Sequence, residues 1–504
     1  MRLDRRVLGV FRAALGVVLL YDLLRRWPDA ALLWSDDGVL TSASLHKVPQ
    51  AATQVSFLFG LSAAGVRLAF AGLGVVFLLY GLGLFTRWMQ LLALLGYASL
   101  NARNLFYEDG GTGCVILLLG WTLLLPLGDR VSLDAVRRDA GLSRICERVF
   151  ARQEVEAPVV SLAGLAILLQ AAVIYWLNAL HKTGHTWLRG DAVHLVFWQH
   201  RVNTPLALWF SAHEPSWFSP LSTWLTKRTE LILPLLLLWP ANRRETRSIA
   251  FVLAVLLHGD IAAALTLGPF SYAMICLLWL AVPGEALDLV ASRVPRRYGV
   301  KLTRYRALAV RAWRRRFGGK TTRRAQVSPV TLRRALIARE TVLGYMLLVE
   351  AVSVLSSNRA IPKALRPEPG PLLLGFKPLL RGNQGWSMFA PEAPKEDGTM
   401  VVDAVTRSGR HVDPFTGTAP NFEQIRLGLA PHTIAVSDYF FAMRDSRNSR
   451  YRHDLARYLR ALPVAAPGER LSFAEFWWVS YVPPPRGSRE PGPIRKEKLW
   501  KVKL

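Results

Sequence analysis

Nine apolar runs divide the chain, at about 7–24, 66–85, 88–104, 111–127, 159–180, 229–240, 248–267, 270–283 and 340–356. A bilayer's hydrocarbon core takes about 20 apolar residues to cross as a helix. Inside lipid every backbone N–H and C=O must be satisfied within the protein, so runs of this length can cross only as helices. The expected fold is therefore an all-α polytopic membrane bundle of about nine transmembrane helices. Several runs are shorter than twenty residues and must extend into their flanks. Pro234 and Pro240 predict a distorted sixth helix.

The formal charge of +27 would suggest nucleic acid in a soluble chain of 504 residues. Here the basic residues alternate with the apolar runs, and neither a zinc-finger spacing nor an RNP-like motif is present. The charge reads as topology and contact with anionic membrane lipids, with no nucleic-acid partner expected. The N-terminus has the basic flank of a signal peptide, but its apolar run ends in Tyr21, Asp22, Arg25 and Arg26 without a small-x-small site, so an uncleaved first helix is expected. Cys114, Cys146 and Cys276 are scattered and form no CxxC pair.

Positive charge is retained on the cytoplasmic face. The N-terminal arginines, the Thr86–Arg87 turn and the loops 128–157, 241–247 and 284–339 sort to one face, the last with sixteen Lys/Arg against two acids. Asp36, Asp37, Glu108, Asp109, the 181–228 loop and the tail sort to the other. The expectation is a multi-pass protein of the cytoplasmic (inner) membrane, with a cytoplasmic N-terminus and an external C-terminus. Its parts are a multi-span domain over 1–285, a basic cytoplasmic loop over 286–339, a last transmembrane helix over 340–364, and a small extracytoplasmic α+β domain over 365–504. In that domain Met400–Val405 and Arg410–Asp413 predict a hairpin turning at Ser408–Gly409. Residues 437–462 predict a polar helix, and 473–482 and 499–503 predict strands.

This topology makes one lysine anomalous. The run Val159–Leu180 breaks into His181, Lys182, Thr183, Gly184, His185, Thr186 and Trp187, which puts Lys182 at a helix mouth on the external face. Glu230, His258 and Asp260 fall in the outer half to the middle of neighbouring spans, and Asp22 and Glu350 lie in the first and ninth. Ionisable groups at such depth need a partner or a cavity. Asp22 and Glu350 read as hydrogen-bonding groups between helices, and the other three as functional. A desolvated Lys182 can act as a general base; paired with Glu230 or a lipid phosphate it stays charged. Both readings are open at this point. Tryptophan at Trp187 and Trp198 suits an interfacial segment. His181 and His185 have i, i+4 spacing, but no carboxylate or cysteine stands close in sequence to complete a metal site, and none is expected.

Several motifs carry a resemblance: WSDDGVL at 34–40, NARN at 101–104, PLGDRVSLDA at 126–135, ALHKTGHTWLRGDAV at 179–193, TELILPLLLL at 229–238, His258 followed by GPFSYAMI at 268–275, and NQGWSMFAP at 383–391. In this order, and over roughly residues 3–285 with a weaker echo in the tail, the chain resembles the HTTM (horizontally transferred transmembrane) family, bacterial relatives of vitamin K-dependent γ-glutamyl carboxylase. The resemblance implies an enzyme using a lipid-phase quinol, such as a vitamin K hydroquinone-like cofactor, on an extracytoplasmic peptide or protein. Lys182 would be the catalytic base, with His181 in the preceding position of the basic pair. Trp187, Glu230, His258 and Asp260 are the expected cofactor-binding residues. The chain departs from the carboxylase pattern at Asn101–Tyr107, where the carboxylase has an essential histidine and this sequence has none; Arg103 cannot accept a proton in its place. The disulfide that links two regions of the carboxylase is also impossible here, and the tail is too short for its large lumenal part. The alternative function is a non-catalytic membrane maturation or assembly factor for secreted proteins, or a quinone- or lipid-binding subunit.

Overall fold

Each of the nine apolar runs falls on a helix in the computed structural model. It describes residues 2–47, 55–107, 109–139, 158–293, 295–317, 328–358, 361–368, 370, 385–423, 432–462, 469–488 and 490–504. The helices are α1 (Arg5–Arg26), α2 (Ala63–Leu82), α3 (Thr86–Arg103), α4 (Gly110–Thr122), α5 (Leu162–His181), α6 (Phe218–Leu238), α7 (Arg243–Ala264), α8 (Phe270–Trp279) and α11 (Pro329–Ser357), with α9 (Gly284–Arg293) and α10 (Arg296–Phe317) before the last. Among the described residues α1, α2, α5 and α7 are long and apolar enough to cross a membrane; α8 and α9, bent by 95° at their junction, make a fifth candidate if they count as one.

Local chemistry sets the starts of these helices. Asp4, Ser62, Asp109, Ser161 and Ser328 accept hydrogen bonds from backbone N–H groups of the first turns of α1, α2, α4, α5 and α11. Packing then draws α1 onto α2. A Cβ on Gly16 would lie 2.4 Å from the Gly81 Cα, so the crossing needs glycine there.

Three boundaries differ from the sequence reading. The stretch 286–339 is not a loop throughout: α9, α10 and the start of α11 lie in it. Arginine, alanine and leucine are good helix formers, and charge alone does not break a helix. Likewise α11 begins at Pro329 rather than near 340, because Ser328 caps it and proline fits a first turn; it ends at Ser357. The polar helix over 437–462 is two helices, α12 (Ile434–Arg444) and α13 (Arg452–Ala461), separated by a 3₁₀ segment that begins after Asp445. Cys146, Asn383, Gln384, Arg323 and Arg324 lie outside the described residues.

The bundle has two distinct ends. At one, β1 (Arg2–Leu3) pairs antiparallel with β2 (Val159–Val160), and Arg5 meets Asp129. At that same end Arg6 bonds Asp288, and Glu340 accepts from the Leu162 N–H. At the other end lies a four-stranded antiparallel sheet, β3 (Asp397–Thr406), β4 (His411–Val412), β5 (Leu471–Tyr481) and β6 (Arg495–Lys503), in the order β4-β3-β5-β6. Thr41 bonds Asp454, the Tyr439 hydroxyl donates to the Val39 carbonyl, and Thr433 donates to Asp29. Segments that charge sorting assigns to opposite faces thus gather at opposite ends. Buried side chains run without a break from the bundle through Tyr439, Phe440 and Leu455 to Met400, Val402, Ala474 and Phe476 of the sheet. The predicted hairpin and both predicted strands are present.

Candidate functional site

Helix α5 ends at its Lys182 C-cap, and a stripe of polar residues leads up to it. Tyr175, Asn178 and Lys182 stand at i, i+3 and i+7, one face of the helix. The Lys182 side chain is 4% exposed and Glu230, on α6, is 8% exposed. Lys182 Nζ donates to both carboxylate oxygens, at 2.5 Å to Oε1 and 2.7 Å to Oε2. Of the two readings left open for this lysine, the geometry has the ion pair with Glu230. One turn before Glu230, Lys227 Nζ donates to the Lys182 carbonyl at 2.8 Å and satisfies an end of α5 that would otherwise lack a partner.

The segment after Lys182 is clamped by residues far away in sequence. Gly184 N–H donates to the Pro391 carbonyl, and Glu392 accepts from the N–H groups of His185 and Thr186 at 2.9 and 2.8 Å. A Cβ on Gly184 would sit 2.3 Å from the Glu392 carboxyl carbon, so a larger residue there would displace the Glu392 side chain from this cap. The amide of Thr186, then its side chain and the amide of His185, hold the Glu392 carboxyl down to about 2. Met388 N–H donates to Asn178 Oδ1, and Trp187 Nε1–H donates to the Phe389 carbonyl at 2.7 Å. The Trp187 ring lies 4.5 Å from Lys182 Nζ, within cation–π range. Trp187 is therefore a buried wall beside the lysine rather than the interfacial anchor that its position in sequence predicts.

These groups border a cavity of about 640 Å³, lined mainly by aliphatic and aromatic side chains of α5, α6, α7 and the short helices Ala192–Phe197 and Pro205–His213. That volume suits a small organic ligand. His258 lines it too. It is 2% exposed, and its Nε2 is 2.8 Å from the Tyr175 hydroxyl. Four predicted residues, Lys182, Trp187, Glu230 and His258, come together at one wall.

Two others do not join them. Asp260 lines the cavity on an exposed part of α7, and no bond or ion pair ties it to the pair. His181 lies outside the lining: its Nδ1 is 2.9 Å from the Trp386 carbonyl. The reason is helical geometry. Adjacent residues point about 100° apart, so the helix that aims Lys182 at Glu230 turns His181 toward the 386–391 segment. Among the described residues no group of three or more His, Cys, Asp or Glu side chains could hold a metal.

Sequence reasoning missed Tyr175, Asn178, Lys227 and Glu392. The first two were available from helical period, as polar residues one and two turns before Lys182. Lys227 stands three residues before Glu230 on the same helix. Glu392 had no local signal, because its role depends on a contact across 207 positions in the chain.

Elsewhere in the bundle Asp22 and Arg26 are wholly buried. Asp22 accepts from Arg25, Arg26 and the Tyr97 hydroxyl, and Arg26 also donates to Asn101. This fits the interhelical reading of Asp22. Glu350 is also buried, with one carboxylate oxygen unpartnered. No protein-family model, no curated protein and no solved structure matches the chain.

Proposed function

We propose that this chain is a multi-pass membrane protein whose cavity takes a lipid-phase, quinol-like ligand, with the Lys182–Glu230 pair handling the proton of an acidic ligand hydroxyl. HTTM membership, about nine passes in the cytoplasmic (inner) membrane, a cytoplasmic N-terminus and an external sheet belong to the same reading. The observation that carries it is a buried bidentate ion pair in the wall of a largely apolar cavity. Such a pair costs several kcal/mol of desolvation per ion, which attraction offsets only when the geometry is good, so it is weak evidence of a stability role. A ligand that must be both apolar and proton-active gives it a use.

The division of labour follows from the donors and acceptors present. As an ammonium, Lys182 stabilises an oxyanion formed from the ligand hydroxyl. Deprotonated, it accepts that hydroxyl's proton, and Glu230 balances the charge in either state. Trp187 and the apolar walls exclude water, while Tyr175 and His258 supply the other polar contacts. Helix α7 also exposes apolar side chains outside the lining, including Ile249, Val252 and Val255, on surface that would meet lipid next to the cavity.

The test is formation of the bound anion of a short-tailed naphthohydroquinone, read by its absorbance, by the full chain in lipid nanodiscs kept free of oxidant, compared with Lys182→Ala. Loss of the anion in a variant that keeps its circular-dichroism spectrum supports the reading. Full anion formation by folded Lys182→Ala overturns it.

A further inference from the structure

Helices α9 and α10 occupy the end of the bundle opposite the sheet. We infer that together they form a docking surface for the anionic headgroups of the adjoining membrane leaflet. This rests on the reading that the bundle crosses a bilayer, and it is independent of what fills the cavity.

Three observations carry it. First, charge: α10 reads RRYGVKLTRYRALAVRAWRRRF, nine Lys/Arg and no acid in 22 residues. Each basic residue at an anionic surface contributes about 1 kcal/mol, close to fivefold in binding. Second, direction: α9 leaves α8 at 95°, so it runs across the bundle end where α8 runs along the bundle. It buries none of its residues and leaves Leu289 and Val290 exposed. Third, mixed surface: on α10 the exposed Arg304, Arg311, Arg315 and Arg316 share the helix with the exposed Leu308. Cationic and apolar groups exposed together suit the boundary between headgroups and acyl chains, where each finds its own solvent. A protein-covered face would need no such excess of one charge, and here that excess stands beside the exposed Leu289, Val290 and Leu308.

The bundle end is built to hold this surface in place. Arg6, at the start of α1, donates to Asp288 of α9 and to the Gly284 carbonyl, and α10 packs along the short helix Leu133–Asp139. That short helix is fixed in turn, since Asp134 accepts from the Phe85 and Thr86 N–H groups at the start of α3.

The test places an environment-sensitive fluorophore on Leu308→Cys in a full chain whose three native cysteines are replaced. The protein is reconstituted in nanodiscs of phosphatidylcholine alone or with phosphatidylglycerol. A blue-shifted emission only with phosphatidylglycerol is expected, reversed by about 1 M salt, where the Debye length falls to about 3 Å. Arg311→Gln/Arg315→Gln/Arg316→Gln should lower the docked-to-undocked ratio on the order of a hundredfold, about fivefold for each charge. Emission identical in the two nanodiscs overturns the inference while leaving the membrane reading intact. Failure of the folded chain to incorporate into either nanodisc overturns both.

Discussion

Two of the buried charge clusters in the bundle, at Asp22 and at Lys182, differ in what surrounds the charge. Around Asp22 the contacts are closed within protein: Arg26 meets Asp22 on its own helix and Asn101 and Tyr97 on α3, and its guanidinium lies 4.6 Å from the Tyr107 ring centre. None of them lines the cavity beside Lys182. Around Lys182 the ion pair is equally close, yet it borders about 640 Å³ of open volume. Residue type and burial are alike, so neither alone identifies a site. What separates a structural knot from a candidate site is whether the polar groups are closed off by protein or left beside empty space.

This contrast can be broken by mutation. Asp22→Ala leaves Arg25 and Arg26 without their shared carboxylate and should cost about 3–5 kcal/mol in denaturant unfolding, as when one member of a buried pair is removed. A variant of unchanged stability would dissolve the distinction. Lys182→Met should cost less, about 1–3 kcal/mol for the stranded Glu230, and Lys182→Met/Glu230→Leu should recover most of it. Both variants should lose ligand binding. A double variant no more stable than the single would place the pair in the structural class.

The junction between the 181–228 segment and the sheet sharpens the contrast through pH. His194 presents Nδ1 to Glu214 at 2.6 Å and Nε2 to the Pro484 carbonyl at 2.8 Å, two acceptors, so the imidazolium fits best. Burial pulls its pKa down, but Glu214 and Pro484 outweigh that and hold it above the usual histidine range. Burial pushes the Asp397 carboxyl up to about 7, against the amide of His200. Both groups bind protons more tightly folded than unfolded. The stability they lend is present in acid and is lost as pH rises through the carboxyl's window from about 4 to 7 and then through the raised histidine value. Protection of the amides over 192–200 and 397–402, taken relative to the pH-dependent intrinsic exchange rate, should therefore be several-fold lower at pH 8 than at pH 6, with no such change around Asp22. The smallest expected effect is Trp187→Phe, which loses one hydrogen bond to Phe389, about 0.5–1.5 kcal/mol by thermal unfolding.

Much of the helical layout was legible because hydropathy and length act locally. Caps such as Ser62 and Ser328 are local too, and the second was overlooked because a basic stretch was equated with a loop. The site was legible where helix position implies depth, as for Lys182, Glu230 and His258. It was not legible where orientation decides. His181 is next to Lys182 in sequence and turns away, and Asp260 shares α7 with His258 without reaching the pair. Glu392 and Phe389 enter only through tertiary contact, and no pattern near residue 182 announces them.

The central claim is that the space beside Lys182 is a ligand site. Native mass spectrometry of the full chain in mild detergent tests it most directly against a cavity-filling Ile261→Trp variant. The account predicts that the unaltered chain retains a lipid-soluble adduct of quinone-like mass and that the folded variant loses it. Identical spectra for the two would contradict it.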